Sequence, residues 1–341
     1  MKSIRYMKPG LKLLDLPEPQ ITGEDMVKIR IAYSGICGTD AHFAKGDFDN
    51  MISDEQLPFE LGHEASGVVV ELGRSATQKG LKVGDKVSYY FNYYCNNCYY
   101  CRNGQEHMCA NKKGYASAMS EYIVVHEQQV YKLPDDMDLR RAALTEPVSV
   151  ALHGFDLCRV IPGKRVAVSG GGGIGLLHMQ LARLAGATHI TVIEPVKEKR
   201  ELALKLGADH VIDPFNEDVK AKALEFTGGL LYDAVLEASG APGACRPAYD
   251  IVANCGVIEF FALYHNDFDF PLNLMNAFWR ELTVIGGVMQ SPYVFPRTVA
   301  LLPKLELEPY TRAIFEPEEF EIAFQTQYSA KYPKVMFHFS D

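Results

Sequence analysis

Hydrophobic and polar positions alternate in several short segments of the first 150 residues. A period of two places apolar side chains on one face of an extended chain, which is typical of β-strands with one buried face. Glycine, proline and aspartate separate these segments, as turns require. The pattern therefore predicts a β-rich domain of the barrel or sandwich type. The predicted strands are Val27–Tyr33, Ala65–Leu72, Lys86–Phe91, Ser120–Val125 and Gln129–Leu133.

The pattern changes near Glu146–Pro147, where short apolar segments begin to alternate with helical ones. Strands that alternate with helices predict a parallel, doubly wound sheet. From about Gly287 the pattern predicts a helical stretch and then a final strand, Lys334–Phe339. In the alternating region the predicted strands are Arg165–Ser169, Ile190–Glu194, His210–Asp213, Ala234–Ala238, Val257–Phe261 and Thr283–Ile285, and the predicted helices include Leu176–Ala185 and Glu198–Leu206.

The composition is that of a globular protein with two cores. The chain has 341 residues, of which 48% are hydrophobic and 23% are charged, and this length and balance are typical of two domains. The formal net charge of −9 argues against binding to nucleic acid or to anionic membranes, because both are themselves negative. The chain shows neither a signal-peptide pattern nor an apolar stretch long enough for a membrane span. We therefore expect a cytoplasmic protein.

A glycine-rich motif joins the first strand of the alternating region to its helix. Gly170, Gly172 and Gly175 have the G-x-G-x-x-G spacing, and the acidic Glu194 ends the next strand. In a dinucleotide-binding loop the glycines allow a tight turn, close approach to a pyrophosphate and close helix packing, and the helix N-terminus attracts the phosphates. The alternative is a glycine turn that binds no ligand.

The residues around Glu194 bear on which dinucleotide binds. Its carboxylate can bind the adenosine ribose and would repel the 2′-phosphate of NADP, which favours NAD. Three cations follow closely, Lys197, Lys199 and Arg200, and they weaken that prediction. The predicted cofactor-binding residues are Gly170, Gly172, Gly173, Ile174, Gly175, Glu194 and Arg200.

Four of the eight cysteines lie close together, as Cys95, Cys98, Cys101 and Cys109. In a chain without an export signal such crowding favours a metal over disulfides. Four thiolates can close a tetrahedral shell and leave no position for a substrate, which predicts a structural zinc. An iron–sulfur cluster is a further alternative, although its motifs have a different spacing.

Three shorter segments before Pro147 carry other metal-ligand side chains. Cys37 lies in the segment Gly35–Asp40, His63 and Glu64 are adjacent, and Glu146 directly precedes the proline. A lone cysteine is usually a small packing residue. Spacing alone does not show that these side chains converge.

Taken together, these motifs resemble the zinc-containing medium-chain dehydrogenase/reductase superfamily, in its polyol (sorbitol-type) and threonine dehydrogenase branch. The resemblance covers essentially the whole chain. It is carried by Gly35–Asp40, Gly62-His-Glu, the cysteine cluster, Glu146-Pro, the glycine motif and Arg280–Gly286. It implies a GroES-like β-rich catalytic domain, residues 1–147 and 287–341, and a Rossmann NAD-binding domain, residues 148–286.

The resemblance also implies roles for individual residues. Cys37 and His63 would bind a catalytic zinc together with Glu64 or Glu146, and it leaves open which carboxylate binds in the resting enzyme. Thr39 would take the proton of the alcohol, and His42 would be the outer end of the proton relay. Asp40 would support the zinc-bound histidine. Some alcohol dehydrogenases have a basic residue after the ligand cysteine, and Gly38 at that position points to the polyol branch.

The implied activity is zinc-dependent transfer of hydride from a secondary alcohol to NAD, with a polyol, cyclitol or sugar derivative as substrate. L-Threonine or a sugar phosphate is an alternative substrate, and a non-catalytic NAD-binding protein is an alternative function. The implied cofactors are two zinc ions per chain and NAD. The implied assembly is a homodimer or homotetramer formed through the cofactor domain, with no nucleic-acid or membrane partner.

Overall fold

The computed structural model describes residues 1–78, 80–114, 117–265 and 267–341. The chain divides into two compact units. The first unit consists of Met1–Ser149 and Ser291–Asp341, and the second unit is Val150–Gln290.

The described strands range from two to ten residues, and the longest is β3. In chain order they are β1 (Lys2–Tyr6), β2 (Leu11–Asp15), β3 (Met26–Gly35), β4 (Phe59–Glu60), β5 (Glu64–Leu72), β6 (Lys86–Tyr89), β7 (Asn92–Tyr93), β8 (Lys113–Gly114), β9 (Tyr122–His126), β10 (Val130–Lys132), β11 (Arg165–Ser169), β12 (His189–Ile193), β13 (His210–Ile212), β14 (Tyr232–Glu237), β15 (Val252–Phe260), β16 (Thr283–Gly286), β17 (Ala313–Phe315) and β18 (Val335–His338).

The described α-helices are short. In chain order they are α1 (Gly38–Lys45), α2 (Arg74–Gln78), α3 (Tyr99–Arg102), α4 (Leu139–Ala142), α5 (Thr145–Leu157), α6 (Gly173–Leu184), α7 (Lys197–Lys205), α8 (Val219–Phe226), α9 (Pro242–Asp250), α10 (Leu274–Arg280), α11 (Val294–Leu301) and α12 (Phe320–Ser329). Within the described ranges, none of these helices has the length and apolar character that crossing a membrane requires.

The first unit is built on a sheet with strand order β10-β6-β5-β3-β18-β17, and β9 also pairs with β3. Val27, Ile29 and Ile31 alternate along β3 and are at most 1% exposed, as the period-two pattern predicts. Strands β3 and β5 are antiparallel, and their register places Gly35 opposite Glu64. This register brings the end of one strand beside the start of the other.

The second unit is built on a parallel sheet with strand order β13-β12-β11-β14-β15-β16. Strand β11 lies in the middle, and the chain passes to β12 on one side and β14 on the other. Ligands of doubly wound sheets bind at the carboxyl ends of the strands where the order reverses. The parallel sheet confirms the predicted Rossmann architecture, and the first unit confirms the predicted β-rich architecture.

Candidate active site and metal centres

Cys37, His63 and Glu64 converge at one end of the β3–β5 strand pair, and we call them the Cys37 centre. One ligand atom from each lies within 4.8 Å of the other two. Cys37 follows β3 and caps helix α1, whereas His63 directly precedes β5 and Glu64 is the first residue of β5. The antiparallel register therefore joins residues that are far apart in the sequence into one donor set.

Two glycines make room for this arrangement. Gly62, directly before His63, has φ +84°, and a Cβ there would lie 2.7 Å from the backbone nitrogen of Met119. A Cβ on Gly35 would overlap the Glu64 carboxylate. Gly62 needs both its left-handed φ and the tight space around it, and Gly35 needs the tight space. A side chain at either position would displace the turn before His63 or the Glu64 carboxylate.

The Cys37 centre accumulates negative charge. Burial lowers the pKa of His63, but the charges of Cys37, Asp40 and Glu146 outweigh burial and raise this pKa well above its usual range. Glu64 is 2% exposed and Glu146 is 4% exposed. A buried cluster of this kind is stabilised by a cation.

Lys334 supplies a cation to one side of Glu64. Its Nζ lies 2.7 Å from both carboxylate oxygens, and it donates a hydrogen bond to Oε1. Oε2 is buried, and Nζ contacts it as an ion pair without the geometry of a hydrogen bond. A carboxylate oxygen, an imidazole and a thiol in one group form a donor set that zinc prefers. The residues therefore fit a zinc ion, with Glu64 as the carboxylate donor.

Asp40 lies beneath the centre and contacts both ligand-bearing segments. It accepts hydrogen bonds from the backbone N–H of Cys37 at 2.9 Å and of Gly62 at 3.0 Å. Its Oδ1 lies 3.9 Å from His63 Nδ1, which is too long for a hydrogen bond. Asp40 therefore positions the backbone of the Cys37 and His63 segments more directly than it orients the imidazole.

Glu146, the other candidate carboxylate, lies in the first turn of α5. It is not one of the three residues whose ligand atoms converge in the described part of the chain. Its charge nevertheless contributes to the raised pKa values of His63 and Lys334. The residues brought together are thus Cys37, His63 and Glu64, with Glu146 close enough to act electrostatically.

The two predicted relay residues lie on helix α1. The hydroxyl of Thr39 lies 3.7 Å from Cys37 Sγ, so it is beside the proposed metal ligand. His42 is 42% exposed at its side chain, and its Nδ1 lies 2.7 Å from Asp47 Oδ2. Because an ionised carboxylate only accepts hydrogen bonds, this contact assigns the proton to Nδ1 and leaves Nε2 as the basic nitrogen.

The four clustered cysteines form a second group, which we call the cysteine lobe. Their sulfurs lie within 4.8 Å of one another. Four of the sulfur–sulfur distances are 3.6, 3.6, 3.8 and 4.0 Å. A tetrahedron with Zn–S bonds of ~2.3 Å has edges of about 3.8 Å. The sulfurs of the cysteine lobe are therefore spaced for a tetrahedral zinc ion.

The backbone of the cysteine lobe is arranged for thiolates. The N–H groups of Cys98 and Cys95 point to Cys95 Sγ at 3.3 Å and Cys109 Sγ at 3.4 Å. Hydrogen bonds from the backbone of Asn97 and Cys98 lower the pKa of Cys95 to about 6. Donors of this kind stabilise negative sulfur, which is the form that binds metal.

The glycine motif leads from β11 into α6, as the sequence predicts. Gly170 has φ +102°, and a Cβ there would lie 2.9 Å from Ser239 Cα. A Cβ on Gly175 would overlap the carbonyl oxygen of Gly170, so helix and strand pack closely. Gly172 caps α6 and has no neighbour within 4 Å of a Cβ position. The loop with Gly173 and Ile174 therefore presents open backbone at a helix N-terminus, as a pyrophosphate requires.

Comparison with known proteins identifies the family. Residues 23–135 match the alcohol dehydrogenase GroES-like domain, and residues 173–304 match the zinc-binding dehydrogenase domain. The chain is 34% identical to the L-threonine 3-dehydrogenase of Pyrococcus horikoshii, over 99% of this chain and 98% of that protein. The chain belongs to the zinc-binding dehydrogenase family. It is therefore an oxidoreductase that uses zinc and a nicotinamide dinucleotide.

Other relatives of this zinc-binding dehydrogenase act on different alcohols. The D-arabitol-phosphate dehydrogenase of Enterococcus avium is 33% identical over 89% of this chain and 87% of that protein. The structure of galactitol-1-phosphate dehydrogenase from Escherichia coli matches with a TM-score of 0.88 and 28% identity. The match covers 99% of this chain and 100% of that chain. The family is thus well defined, whereas the relatives' names differ in substrate.

Sequence reasoning missed three residues that support the sites of this zinc-binding dehydrogenase. Lys334 pairs with Glu64, Asp47 contacts His42, and Asp213 lies 2.9 Å from Arg200. Lys334 directly precedes β18 and Asp213 directly follows β13, and each reaches its partner only through the fold. Asp47, by contrast, is five positions from His42, and its acidic side chain just after α1 was a local signal.

Proposed function

We propose that this zinc-binding dehydrogenase oxidises a secondary alcohol of a neutral polyol, cyclitol or sugar derivative, with NAD as the hydride acceptor. The observation that carries the proposal is the convergence of Cys37, His63 and Glu64 within 4.8 Å. The buried Glu64 Oε2 supports it, because among the described residues it accepts no hydrogen bond of good geometry, although Lys334 Nζ lies 2.7 Å away. A protein that only bound NAD would have no need of this donor set.

In this proposal Cys37, His63 and Glu64 hold the catalytic zinc, and Glu146 is the carboxylate available for exchange. When bound, the zinc supplies a Lewis acid that lowers the pKa of an alcohol, and the nicotinamide supplies the hydride acceptor. Lys334 keeps the Glu64 carboxylate in place through its bond to Oε1. Glu64 is therefore our choice for the resting ligand.

Thr39 and His42 are assigned to proton transfer. The Thr39 hydroxyl lies beside Cys37, where it can accept the proton of the substrate alcohol. His42 is partly exposed and is oriented by Asp47, so its Nε2 can receive the proton and release it to solvent. Asp47 acts as a positioning residue for this last step.

Lys334 bears on the charge of the substrate. A phosphate or carboxylate substrate needs a basic side chain that is free to bind it. Lys334 reaches the Cys37 centre, but its charge is already paired with Glu64 at 2.7 Å. This pairing favours a neutral substrate. L-Threonine and sugar phosphates are the alternatives, because relatives with those substrates are 34% and 33% identical to this chain.

The test is a substrate panel with purified protein. Formation of reduced nicotinamide is followed with NAD and with NADP for polyols, inositols, amino-cyclitols, sugar phosphates, L-threonine and simple alcohols, with and without a zinc chelator. We expect chelator-sensitive turnover of a neutral secondary alcohol with NAD. Fastest turnover with threonine or a sugar phosphate would select an alternative substrate, and no turnover despite zinc and NAD binding would contradict the proposed activity.

The two units have separate tasks in the proposal. The first unit carries both candidate zinc centres, and the second unit carries the glycine motif that binds NAD. The proposed domain boundaries are residues 1–147 with 287–341, and residues 148–286. A zinc centre of four cysteines needs reduced thiols, which supports our proposal of a reducing compartment such as the cytoplasm.

The proposed partner is a second copy of the chain, bound through the second unit. Helix α10 exposes Leu274, Met275, Phe278 and Trp279 by 63–75%. Strand β16 is the last strand of the parallel sheet, so its outer edge can pair with the same edge of another copy. Sedimentation or light scattering tests this proposal. Trp279→Lys should shift the protein toward monomer, and an unchanged mass would contradict this interface.

A further inference from the structure

Arg200 and Asp213 form an ion pair beside Glu194, the acidic residue of the cofactor site. Arg200 lies in the first turn of α7, and Asp213 directly follows β13. Arg200 Nη2 lies 2.9 Å from Asp213 Oδ2, and the two side chains are only 16% and 15% exposed. Arg200 Nη1 also donates to the carbonyl oxygens of Glu194 and Pro195, both at 2.7 Å. The guanidinium is therefore folded across the turn that follows β12.

Asp213 is itself held firmly. It accepts hydrogen bonds from the backbone N–H of Phe215 and from Asn216 Nδ2, both at 3.1 Å. Bonds from Asn216 and the charge of Arg200 hold the pKa of Asp213 below its usual range. Asp213 is thus ionised at neutral pH, and its negative charge neutralises the guanidinium of Arg200.

Glu194 is fixed at the start of the glycine motif. Its Oε2 accepts a hydrogen bond from Gly171 N–H at 2.7 Å, and its Oε1 accepts one from Val196 N–H at 2.9 Å. Each oxygen keeps a lone pair for a ribose hydroxyl. Because Asp213 neutralises Arg200, the charge of Glu194 is not balanced by that arginine.

The other two cations of this turn, Lys197 and Lys199, have no described contact with Glu194. Lys197 is paired with Glu201 at 3.8 Å, and their side chains are 76% and 54% exposed. Lys199 is partly exposed in the same turn of α7. Arg200 is the cation that donates to the backbone carbonyl of Glu194 itself, which makes it our candidate for contact with a 2′-substituent on a ribose bound by Glu194.

We propose that Asp213 determines the coenzyme preference, by holding Arg200 back so that Glu194 repels the 2′-phosphate of NADP. An arginine is well suited to bind a phosphate with two donors. Released from Asp213, Arg200 would supply the contact that NADP needs. This inference rests on the proposed function only in that the glycine motif of the second unit binds the dinucleotide.

The experiment compares two probes that differ only in the 2′-phosphate, namely 5′-AMP and 2′,5′-ADP. Calorimetry gives their dissociation constants with the wild-type protein, with Asp213→Asn and with Asp213→Asn/Arg200→Ala. Neither probe needs zinc or an alcohol, so an error in the proposed activity or substrate leaves this measurement intact. We expect Asp213→Asn to improve 2′,5′-ADP binding relative to 5′-AMP by about tenfold, the effect of one charge-assisted hydrogen bond. The double variant should lose this gain.

Asp209→Asn is the matched control. Asp209 also pairs with an arginine, Arg183 at 2.7 Å, and also accepts a backbone hydrogen bond, from Ile190 at 2.7 Å. It should leave the ratio of the two dissociation constants unchanged. A thermal melt verifies that each variant is folded.

Two results would overturn the proposal. One is an unchanged ratio in Asp213→Asn, and the other is a gain that persists after removal of Arg200, which would transfer the role to Lys199. Arg200→Ala alone gives an independent check that does not require an Asp213 variant to fold. It should change the ratio by less than about twofold, because the paired arginine does not contact a 2′-phosphate; a large selective loss of 2′,5′-ADP binding would show that Arg200 already makes this contact.

Discussion

The cysteine lobe and the Cys37 centre are two candidate zinc sites assembled in opposite ways. All four ligands of the cysteine lobe come from residues 95–109, with sulfur–sulfur distances of 3.6–4.0 Å. The Cys37 centre joins two segments through the register that places Gly35 opposite Glu64, and its carboxylate is paired with Lys334, 270 positions away. One site is local, and the other depends on the folded sheet.

The two modes of assembly indicate different roles, stabilisation of the fold for the cysteine lobe and chemistry for the Cys37 centre. A closed shell of four thiolates has no position for a substrate, so its binding energy goes into folding. A site with one thiolate, one imidazole and one carboxylate can keep an open position. Its geometry has to be held by the surrounding fold, here by Asp40, Gly35 and Lys334.

The largest effect should follow from removal of His63. His63→Ala takes away one ligand of the Cys37 centre, so we expect turnover to fall by at least about a thousandfold. The protein should stay folded and keep one zinc ion per chain, because the cysteine lobe is untouched. Steady-state kinetics and metal analysis measure this result. Near-normal turnover, or loss of both zinc ions, would contradict the proposal that the Cys37 centre is catalytic and the cysteine lobe structural.

Removal of a lobe cysteine should have the reverse profile. Cys98→Ser opens the four-thiolate shell, so we expect the free energy of unfolding to fall by about 3 kcal/mol or more, which is roughly 6–12 °C in Tm. The folded fraction should keep its KM and much of its turnover number. A variant with unchanged Tm but lost catalysis would show that the cysteine lobe has a catalytic role.

Gly35→Ala tests whether the sheet register holds the carboxylate. The added Cβ would overlap Glu64, and such overpacking costs about 1–3 kcal/mol. We expect zinc affinity at the Cys37 centre to fall by roughly 10- to 100-fold, as for other changes that disturb ligand support. Gly114→Ala is a control in the same unit, because Gly114 has no left-handed φ and a Cβ there would make only an ordinary contact, at 3.7 Å from Asn92 Oδ1. Equal zinc affinity in Gly35→Ala and wild type would contradict the proposed role of Glu64.

Replacement of Lys334 should have the smallest effect when zinc is bound, and a larger one when zinc is removed. Lys334→Met leaves the buried Glu64 without its partner, which costs about 3–5 kcal/mol when no other cation is present. Bound zinc should reduce this loss, so the variant should be much less stable than wild type only after chelation. Lys334→Arg keeps the charge and is the control. Equal destabilisation with and without zinc would indicate that Glu64 does not bind the metal.

The local features of the fold and of the sites could be predicted from the sequence. Strand β11 was predicted with the observed bounds, Arg165–Ser169, because a buried parallel strand before a glycine loop has a strong pattern. The cysteine lobe was predicted for the same reason, since its ligands are close in sequence. Helix α5 was not predicted, because Pro147 and the change of pattern there resemble a boundary, although proline is well tolerated in the first turn of a helix.

The Cys37 centre could be recognised from resemblance but could not be derived from spacing. Its assembly depends on the β3–β5 register, which only the folded sheet defines. For the same reason the contacts of Lys334 and Asp213 were not predicted, since the fold and not a sequence motif brings each to its partner. The cations near Glu194 left the coenzyme choice open, and our proposal on it rests on the Arg200–Asp213 pair at 2.9 Å, which only the structure shows.

The most direct test of the account is to measure zinc content, X-ray absorption and turnover on the same samples during mild chelation. We predict that one zinc ion leaves first, that turnover falls in proportion to its loss, and that the retained ion shows four sulfur neighbours at ~2.3 Å. Difference spectra should assign one sulfur and several nitrogen or oxygen neighbours to the labile ion. Turnover that persists after the labile ion has left, or a labile ion with four sulfur neighbours, would contradict the assignment of catalysis to Cys37, His63 and Glu64.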